Sequence, residues 1–247
     1  IANLRSDGIF TPPSVRGSLV FPGNLGGLNW SGGAFDPDRQ IFVASVNNVA
    51  AEVHLIPRDR YAVVESAARA SDLGGEISPQ YGTPYGVSRR VLASPSGLPC
   101  NPPPWGSLVA VDLAQGTIRW SVPLGTTADV RPDIKPPVEG TPNLGGPIIT
   151  AAGLVFIASA LDDYLRAFDV DTGAELWKGR LPAGGQAAPM TYRSRRDGRQ
   201  FVVIAAGGHG SLGTRLGDSL VAFALPQHGN HRNSVVRTSS SGETDEP

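Results

Sequence analysis

His209 stands alone in the run Gly208-His209-Gly210-Ser211-Leu212-Gly213, directly after the apolar residues 201–206. A neutral imidazole offers one donor and one acceptor, so a histidine on a loop at the end of a buried strand could hydrogen-bond a ligand oxygen. The same histidine could also be merely solvated. The six residues satisfy the G-x-G-x-x-G spacing of a dinucleotide-binding turn, but that chemistry needs a helix to follow. Residues 219–225 read instead as a strand, stopped by Pro226, which argues against a nicotinamide site. Asp162 and Asp163 are adjacent carboxylates that could share a cation, yet they lie between two strand-like runs and read better as a hairpin turn. Asn29, beside Trp30, presents an amide that could bind a ligand or cap a turn. Cys100 has no cysteine partner in the chain and is assigned no chemistry. His228 and His231 fall in a polar stretch and read as solvated.

The elements that must position these side chains are most legible over residues 140–189. Residues 147–150 and 154–158 are short apolar runs about Gly153, a hairpin. Asp162-Asp163 turns the chain, 164–169 alternates apolar and polar side chains, Asp171-Thr172-Gly173 turns again, and 175–178 closes with Trp177. So short a span leaves no room for a crossover helix, so the four strands form an antiparallel sheet. The last strand pair has a counterpart upstream: Ala110, Asp112, Gly116 and Trp120 fall in register with Ala167, Asp169, Gly173 and Trp177. Alanine permits close packing, aspartate accepts backbone hydrogen bonds at the turn, glycine supplies φ > 0, and tryptophan buries a flat ring between sheets. A repeated strand pair ending in Trp points to radial repetition, a β-propeller.

Composition agrees. The 247 residues include 31 Gly and 22 Pro, and charged residues are only 17%, as many tight turns between short strands require. A net charge of −1 provides no field to steer nucleic acid or an anionic membrane surface, so no nucleic-acid partner is expected. No apolar run reaches the roughly 20 residues of a membrane helix.

Along the chain, residues 1–28 read as a connecting loop with one strand near 19–21. Residues 29–35 and 40–45 form a hairpin about Asp36-Pro37-Asp38, the front half of a blade whose back half is 107–123. An insertion, 54–105, lies between the halves. Within it a helix is expected over 57–73, with Pro57 at the first position and Gly74 past the end, and the proline-rich remainder is expected to lack regular structure. Insertions of this kind sit over one face of a ring, where loops carry function. Residues 188–192, 201–206 and 219–225 give three strands of a last blade, whose fourth is expected from the N-terminal side of the whole protein. Residues 227–247 read as a disordered polar tail. The fold expected is therefore all-β: a partial propeller of about three four-stranded antiparallel blades over 1–226. The first residue, Ile1, is read as part of a loop and the chain as a piece of a longer protein.

The ordered motifs GGLNW (26–30), LPCNPPPWG (98–106), GTPNLGGP (140–147), LPAGGQAAPMTY (181–192) and VVIAAGGHGSLGT (202–214) resemble the C-terminal part of the membrane-bound quinoprotein dehydrogenases that oxidise glucose and related polyols. The resemblance runs from about Phe10 to Pro226. It implies an eight-bladed propeller with pyrroloquinoline quinone (PQQ) on its axis and calcium or magnesium beside the quinone. It further implies hydride transfer from an aldose, or from quinate or another polyol, and electron transfer to ubiquinone at the periplasmic face of the inner membrane. It places the general base, most metal ligands and the membrane anchor before Ile1, leaving no catalytic residue and no metal ligand to name here. The remaining propeller blades are then partners of this arc. What the chain supplies by resemblance is one side of the cofactor pocket: Asn29 and Trp30, Leu144, Gly145 and Gly146, and Gly208 and His209. Alcohol-oxidising relatives carry tryptophan at the position of Leu144, and histidine at 209 is typical of the sugar-oxidising branch. The alternative is a non-catalytic scaffold propeller for protein assembly, which has no need for glycine loops that converge on a flat ligand.

Overall fold

In the computed structural model, which describes residues 3–71, 75–226 and 236–238, the chain is built almost wholly of short strands. They are β1 (Ser18–Val20), β2 (Gly27–Asp36), β3 (Ile41–Asn47) and β4 (Ala51–Pro57), then helix α1 (Arg58–Ser71), β5 (Glu76–Ser78), β6 (Tyr85–Val91), β7 (Gly106–Asp112) and β8 (Thr117–Pro123). There follow β9 (Ile148–Ile149), β10 (Leu154–Ile157), β11 (Tyr164–Asp169), β12 (Glu175–Arg180), β13 (Met190–Arg193), β14 (Gln200–Ala206), a single 3-10 turn at Gly210–Leu212, β15 (Ser219–Ala224) and β16 (Val236–Thr238). They make four four-stranded sheets in two compact units, one of Ile1–Gly27 and Asn47–Trp105, the other of Leu28–Val46 and Gly106–Pro247.

The first unit corrects the expectation of an irregular insertion. Its sheet has the order β1-β4-β6-β5, with β4 and β6 antiparallel from Ala51↔Val91 to Pro57↔Tyr85. Strand β4 buries Ala51, Val53 and Ile56, and α1 lays Tyr61 over Gly86, where any Cβ would collide with the ring. The helix begins at Arg58, one residue after Pro57, and the Arg58 guanidinium ties the helix start to the carbonyls of Gln80, Thr83 and Tyr85 at 2.8–2.9 Å. The expected stop at Gly74 lies outside the described residues. Trp105 is 4% exposed and donates its indole N–H to Asn101 O at 2.8 Å, so an aromatic anchor pins the end of the proline-rich stretch, whose start is held by the antiparallel bridge Ala93↔Pro99.

The second unit contains three sheets whose spatial order follows the chain, β2-β3-β7-β8, β9-β10-β11-β12 and β13-β14-β15-β16, called here the first, second and third blades. The first and second pack through Ile41, Val43 and Leu108 against Val155, Ile157 and Phe168. The second and third pack through Leu165 and Leu181 against Val202, Ile204 and Val221. Trp120 reaches from the first blade to donate to Val170 O at 2.9 Å and covers Gly173; Trp177 meets Phe223 edge-on at 5.0 Å across the next contact. Both tryptophans therefore dock blades, as their place in the repeat implies. The third blade departs from expectation: its fourth strand is β16, paired antiparallel with β15 from Ala222↔Val236 to Leu220↔Thr238. That strand lies inside the stretch read as a tail, the rest of which, with His228 and His231, lies outside the described residues.

The repeated turn carboxylates behave as their position dictates. Asp36 Oδ1 accepts from the N–H groups of Asp38 and Arg39, Asp112 Oδ1 from Gln115 N–H, and Asp169 Oδ1 from the Asp171 and Thr172 N–H groups and the Thr172 hydroxyl. The Thr172 hydroxyl, followed by the Thr172 N–H, holds the Asp169 carboxyl below its ordinary range. A depressed folded-state pKa adds stability that is complete above the unfolded value and is lost as pH falls through the folded one. The stability gap between wild type and Asp169→Asn is therefore expected to be widest near neutrality and to begin narrowing below about pH 4, as denaturant titrations at falling pH would record.

Candidate functional site

In the second unit the segment before β9 meets strands β2 and β3 of the first blade and the segments after β10 and after β12. Residues Leu144, Gly145 and Gly146 precede β9 and form the middle of this junction. The Ser31 hydroxyl of the first blade bonds Leu144 O. Gly145 O accepts two hydroxyls, from Ser45 of the first blade and Ser159 of the second, each at 2.9 Å. A Cβ on Gly146 would lie 2.5 Å from Ser31 O, and one on Gly145 would lie 3.0 Å from Gln186 O. These glycines thus let main chain from neighbouring blades come together, a different physical reason for small residues than approach to a ligand.

Ser159 is the strained member. It is fully buried with φ of 61°, a left-handed conformation that a β-substituted residue adopts at a cost of about 1 kcal/mol or more. Its N–H donates to Gly185 O, its carbonyl accepts from Leu144 N–H and its hydroxyl bonds Gly145 O, so three interactions hold it there.

On the third blade Gly208 has φ of 68°, and a Cβ on it would run into the Arg215 carbonyl. Gly208 N–H donates to Gly184 O at 2.8 Å, Gly184 N–H to Arg215 O at 3.1 Å, and Gly217 N–H to Gly207 O at 3.1 Å, which fixes both ends of the loop. His209 follows as the residue before the 3-10 turn, exposed, with extended backbone. Its ring makes no hydrogen bond among the described residues, whereas its N–H donates to Thr214 Oγ1 at 2.8 Å. No helix follows the G-x-G-x-x-G run; β15 does, which removes the dinucleotide reading.

Asn29 and Trp30 open β2, on the strand whose next residue, Ser31, contacts Leu144. Trp30 is 94% exposed, and its N–H donates to Asn29 Oδ1 at 2.7 Å, leaving the Asn29 amide nitrogen unengaged among the described residues. The seven residues singled out from sequence are therefore joined through intermediaries rather than by direct contact: β2 to Leu144 by Ser31, Gly145 to the third blade by the Gln186 main chain, and the Gln186 side chain to His209 by Thr214. Ser31, Ser45, Ser159, Gln186 and Thr214 escaped the sequence reading. Gln186 and Thr214 lie inside two of the motifs quoted above, which was the available signal.

Asp162 and Asp163 are structural. Arg166, 3% exposed, makes a paired donation to Asp162 at 2.8 and 2.6 Å, and Thr126 N–H adds a third bond at 2.8 Å. Asp163 faces Arg180 at 3.7 Å and Arg215 at 4.0 Å; burial pushes its carboxyl up, with Asp129 acting in the same direction. Among the described residues no three His, Cys, Asp or Glu side chains gather as a metal would need, and no helix is long and apolar enough to cross a membrane.

Comparison with known proteins agrees with the geometry. Residues 1–202 match the family described as "PQQ: Glucose/ethanol/alcohol dehydrogenase, beta-propeller domain". Over 90% of its length the chain is 49% identical to the quinoprotein glucose dehydrogenase of Escherichia coli (strain K12), covering 28% of that protein. Over 90% it is also 45% identical to a probable quinate dehydrogenase (quinone) of Xanthomonas campestris pv. juglandis, covering 29% of that protein. The chain thus spans less than a third of the length of these relatives. The crystal structure of quinohemoprotein alcohol dehydrogenase from Comamonas testosteroni matches 87% of the chain and 29% of its own at a TM-score of 0.55 and 24% identity, a likeness of fold. With a family match over most of its residues, near-half identity to these relatives and three propeller blades in sequence order, the chain belongs to the PQQ glucose/ethanol/alcohol dehydrogenase β-propeller family.

Proposed function

We propose that this chain forms one side of the PQQ pocket of a quinoprotein dehydrogenase that oxidises an aldose such as glucose, or quinate or another polyol. The observation that carries the reading is the meeting of main chain from neighbouring blades at residues 144–146 before β9, centred on Gly145, with the exposed His209 ring on a loop and the Asn29 amide on strand β2 tied to it through intermediaries. The donor set suits the group. PQQ is flat and rimmed with carbonyl and carboxylate oxygens; an imidazole N–H and an amide N–H donate to such oxygens, and an exposed indole such as Trp30 offers a face for stacking. When bound, PQQ supplies the acceptor for the hydride leaving the hydroxyl-bearing carbon of the substrate. The part of this chain is to bind and orient: Asn29 and His209 hold cofactor oxygens, Leu144 shields the ring from water, and the glycine junction fixes the spacing of the three loops.

Calcium or magnesium beside the cofactor belongs to the same proposal, with its ligands mostly in the rest of the whole protein. Electron transfer to ubiquinone at the periplasmic face of the inner membrane is likewise proposed of the whole protein. Further blades are its remaining partners. In support, the first blade exposes Leu28 and Ile118 by 56% and 67%, and the third exposes Met190, Tyr192 and Leu220 by 44–55%, apolar surface that isolated domains seldom present.

The test is His209→Ala in the full-length protein. Because the ring is exposed and bonds nothing among the described residues, the substitution is expected to change stability by less than about 0.5 kcal/mol while weakening PQQ binding about tenfold, the worth of one hydrogen bond to a charged or strongly polar group. Equilibrium titration of the apo-protein with PQQ measures this, and unchanged affinity would remove His209 from the pocket.

A further inference from the structure

The main chain of His209 is held by a polar clamp that spans two blades. Thr214, 5% exposed, receives the His209 N–H at 2.8 Å. Its single hydroxyl proton has two acceptors in reach, Gln186 Oε1 at 3.2 Å and His209 O at 3.4 Å, and the nearer is the Gln186 amide. Gln186 in turn donates through Nε2 to Ala160 O of the second blade at 2.7 Å. Each end of the amide thus meets a partner of the matching sense. A Cβ on Gly184 would sit 2.5 Å from Gln186 Oε1 and 2.8 Å from Thr214 Oγ1, so Gly184 is the gap in which the clamp closes. The main-chain carbonyl of Gln186 packs on Gly145.

We propose that Thr214, acting with Gln186, is a positioning residue that fixes the direction in which His209 meets the cofactor and locks the His209 loop to the second blade. Isolated loops rich in glycine sample many conformations, and a buried hydroxyl that receives the histidine N–H removes that freedom before ligand arrives. The inference rests on the PQQ reading above. It adds a residue that holds the binding group without being one.

The experiment uses the full-length protein with PQQ as the probe. Thr214→Val keeps the shape and deletes the hydroxyl, Thr214→Ser keeps the hydroxyl, and Gln186→Met breaks the clamp from its other side without touching Thr214. Loss of one organising hydrogen bond is expected to weaken PQQ binding to the apo-protein about tenfold in Thr214→Val and Gln186→Met, with Thr214→Ser within about twofold of wild type. In the absence of PQQ, amide exchange across 207–214 is expected to quicken in the first two variants and to stay at the wild-type rate in the third. Because Thr214 acts through His209, adding Thr214→Val to His209→Ala should cost less than about a further twofold. Wild-type PQQ affinity in both Thr214→Val and Gln186→Met would overturn the proposal. So would a loss that persists undiminished beside His209→Ala, which marks general loosening of the fold. Failure of the wild-type apo-protein to bind PQQ at all would overturn the pocket reading and this inference with it, an outcome seen before any substitution is made.

Discussion

Gly208→Ala in the full-length protein is expected to lower PQQ affinity about tenfold, as much as His209→Ala does, whereas Gly210→Ala two residues along leaves it within about twofold. The difference is geometric. At Gly208 a Cβ runs into the Arg215 carbonyl and the backbone has φ of 68°, a left-handed conformation that costs a β-substituted residue about 1–2 kcal/mol. Relief requires the loop to move, which loosens the Gly208 N–H bond to Gly184 O and the Gly184 N–H bond to Arg215 O, at about 1 kcal/mol each. The sum, about 3–4 kcal/mol, falls on the loop that carries His209 and is enough to remove that side chain from the cofactor. A Cβ on Gly210 meets nothing within 4 Å. Gly213 separates the two causes, because it has φ of 67° but open space around it, so Gly213→Ala is expected to cost only the conformational part. Equal PQQ affinities across the three variants would show that the conformation of this loop has no bearing on the cofactor.

Asp162→Ala is expected to destabilise the fold by about 3–5 kcal/mol, the usual consequence of stranding a buried cation. Arg166 would be left with Glu175, whose side chain is 38% exposed and 3.1 Å from Nε, and the Thr126 N–H would lose its acceptor. Adding Arg166→Met should return at least half of the loss, because two apolar groups need no partner. Urea titration of the two variants measures both values. A single substitution that costs under about 1 kcal/mol would mean that water reaches Arg166 in solution and that the pair is not the internal tie described here.

What could be read from the residues alone was whatever is decided locally. The repeated Ala-x-Asp to Trp pattern announced β7–β8 and β11–β12 because turn carboxylate, turn glycine and docking tryptophan all act within a dozen residues of one another. The sheet of the first unit was missed because its pairings are non-local: β4 finds β1 on one side and, across α1 and β5, β6 on the other, so neither neighbour follows it directly in the chain. Strand β16 was missed for a related reason. It pairs with the open edge of β15, and a backbone edge leaves no pattern in side-chain types. At the candidate site the conspicuous residues, Asn29, His209 and the glycines, stand out by motif and resemblance. The serines at 31, 45 and 159, with Gln186 and Thr214, do not, since their contribution is a set of hydrogen bonds between loops far apart in sequence. The glycines themselves were legible as small residues but not as points where blade backbones touch.

Segments of three blades of this chain are proposed to meet as one wall around a single flat cofactor. The most direct test is an experimental structure of the full-length protein with PQQ bound, read for the contacts of Asn29, the segment 144–146 and His209. The cofactor is expected to lie against all three, with the His209 ring and the Asn29 amide within hydrogen-bond reach of its oxygens. A bound cofactor that touches none of them would contradict it.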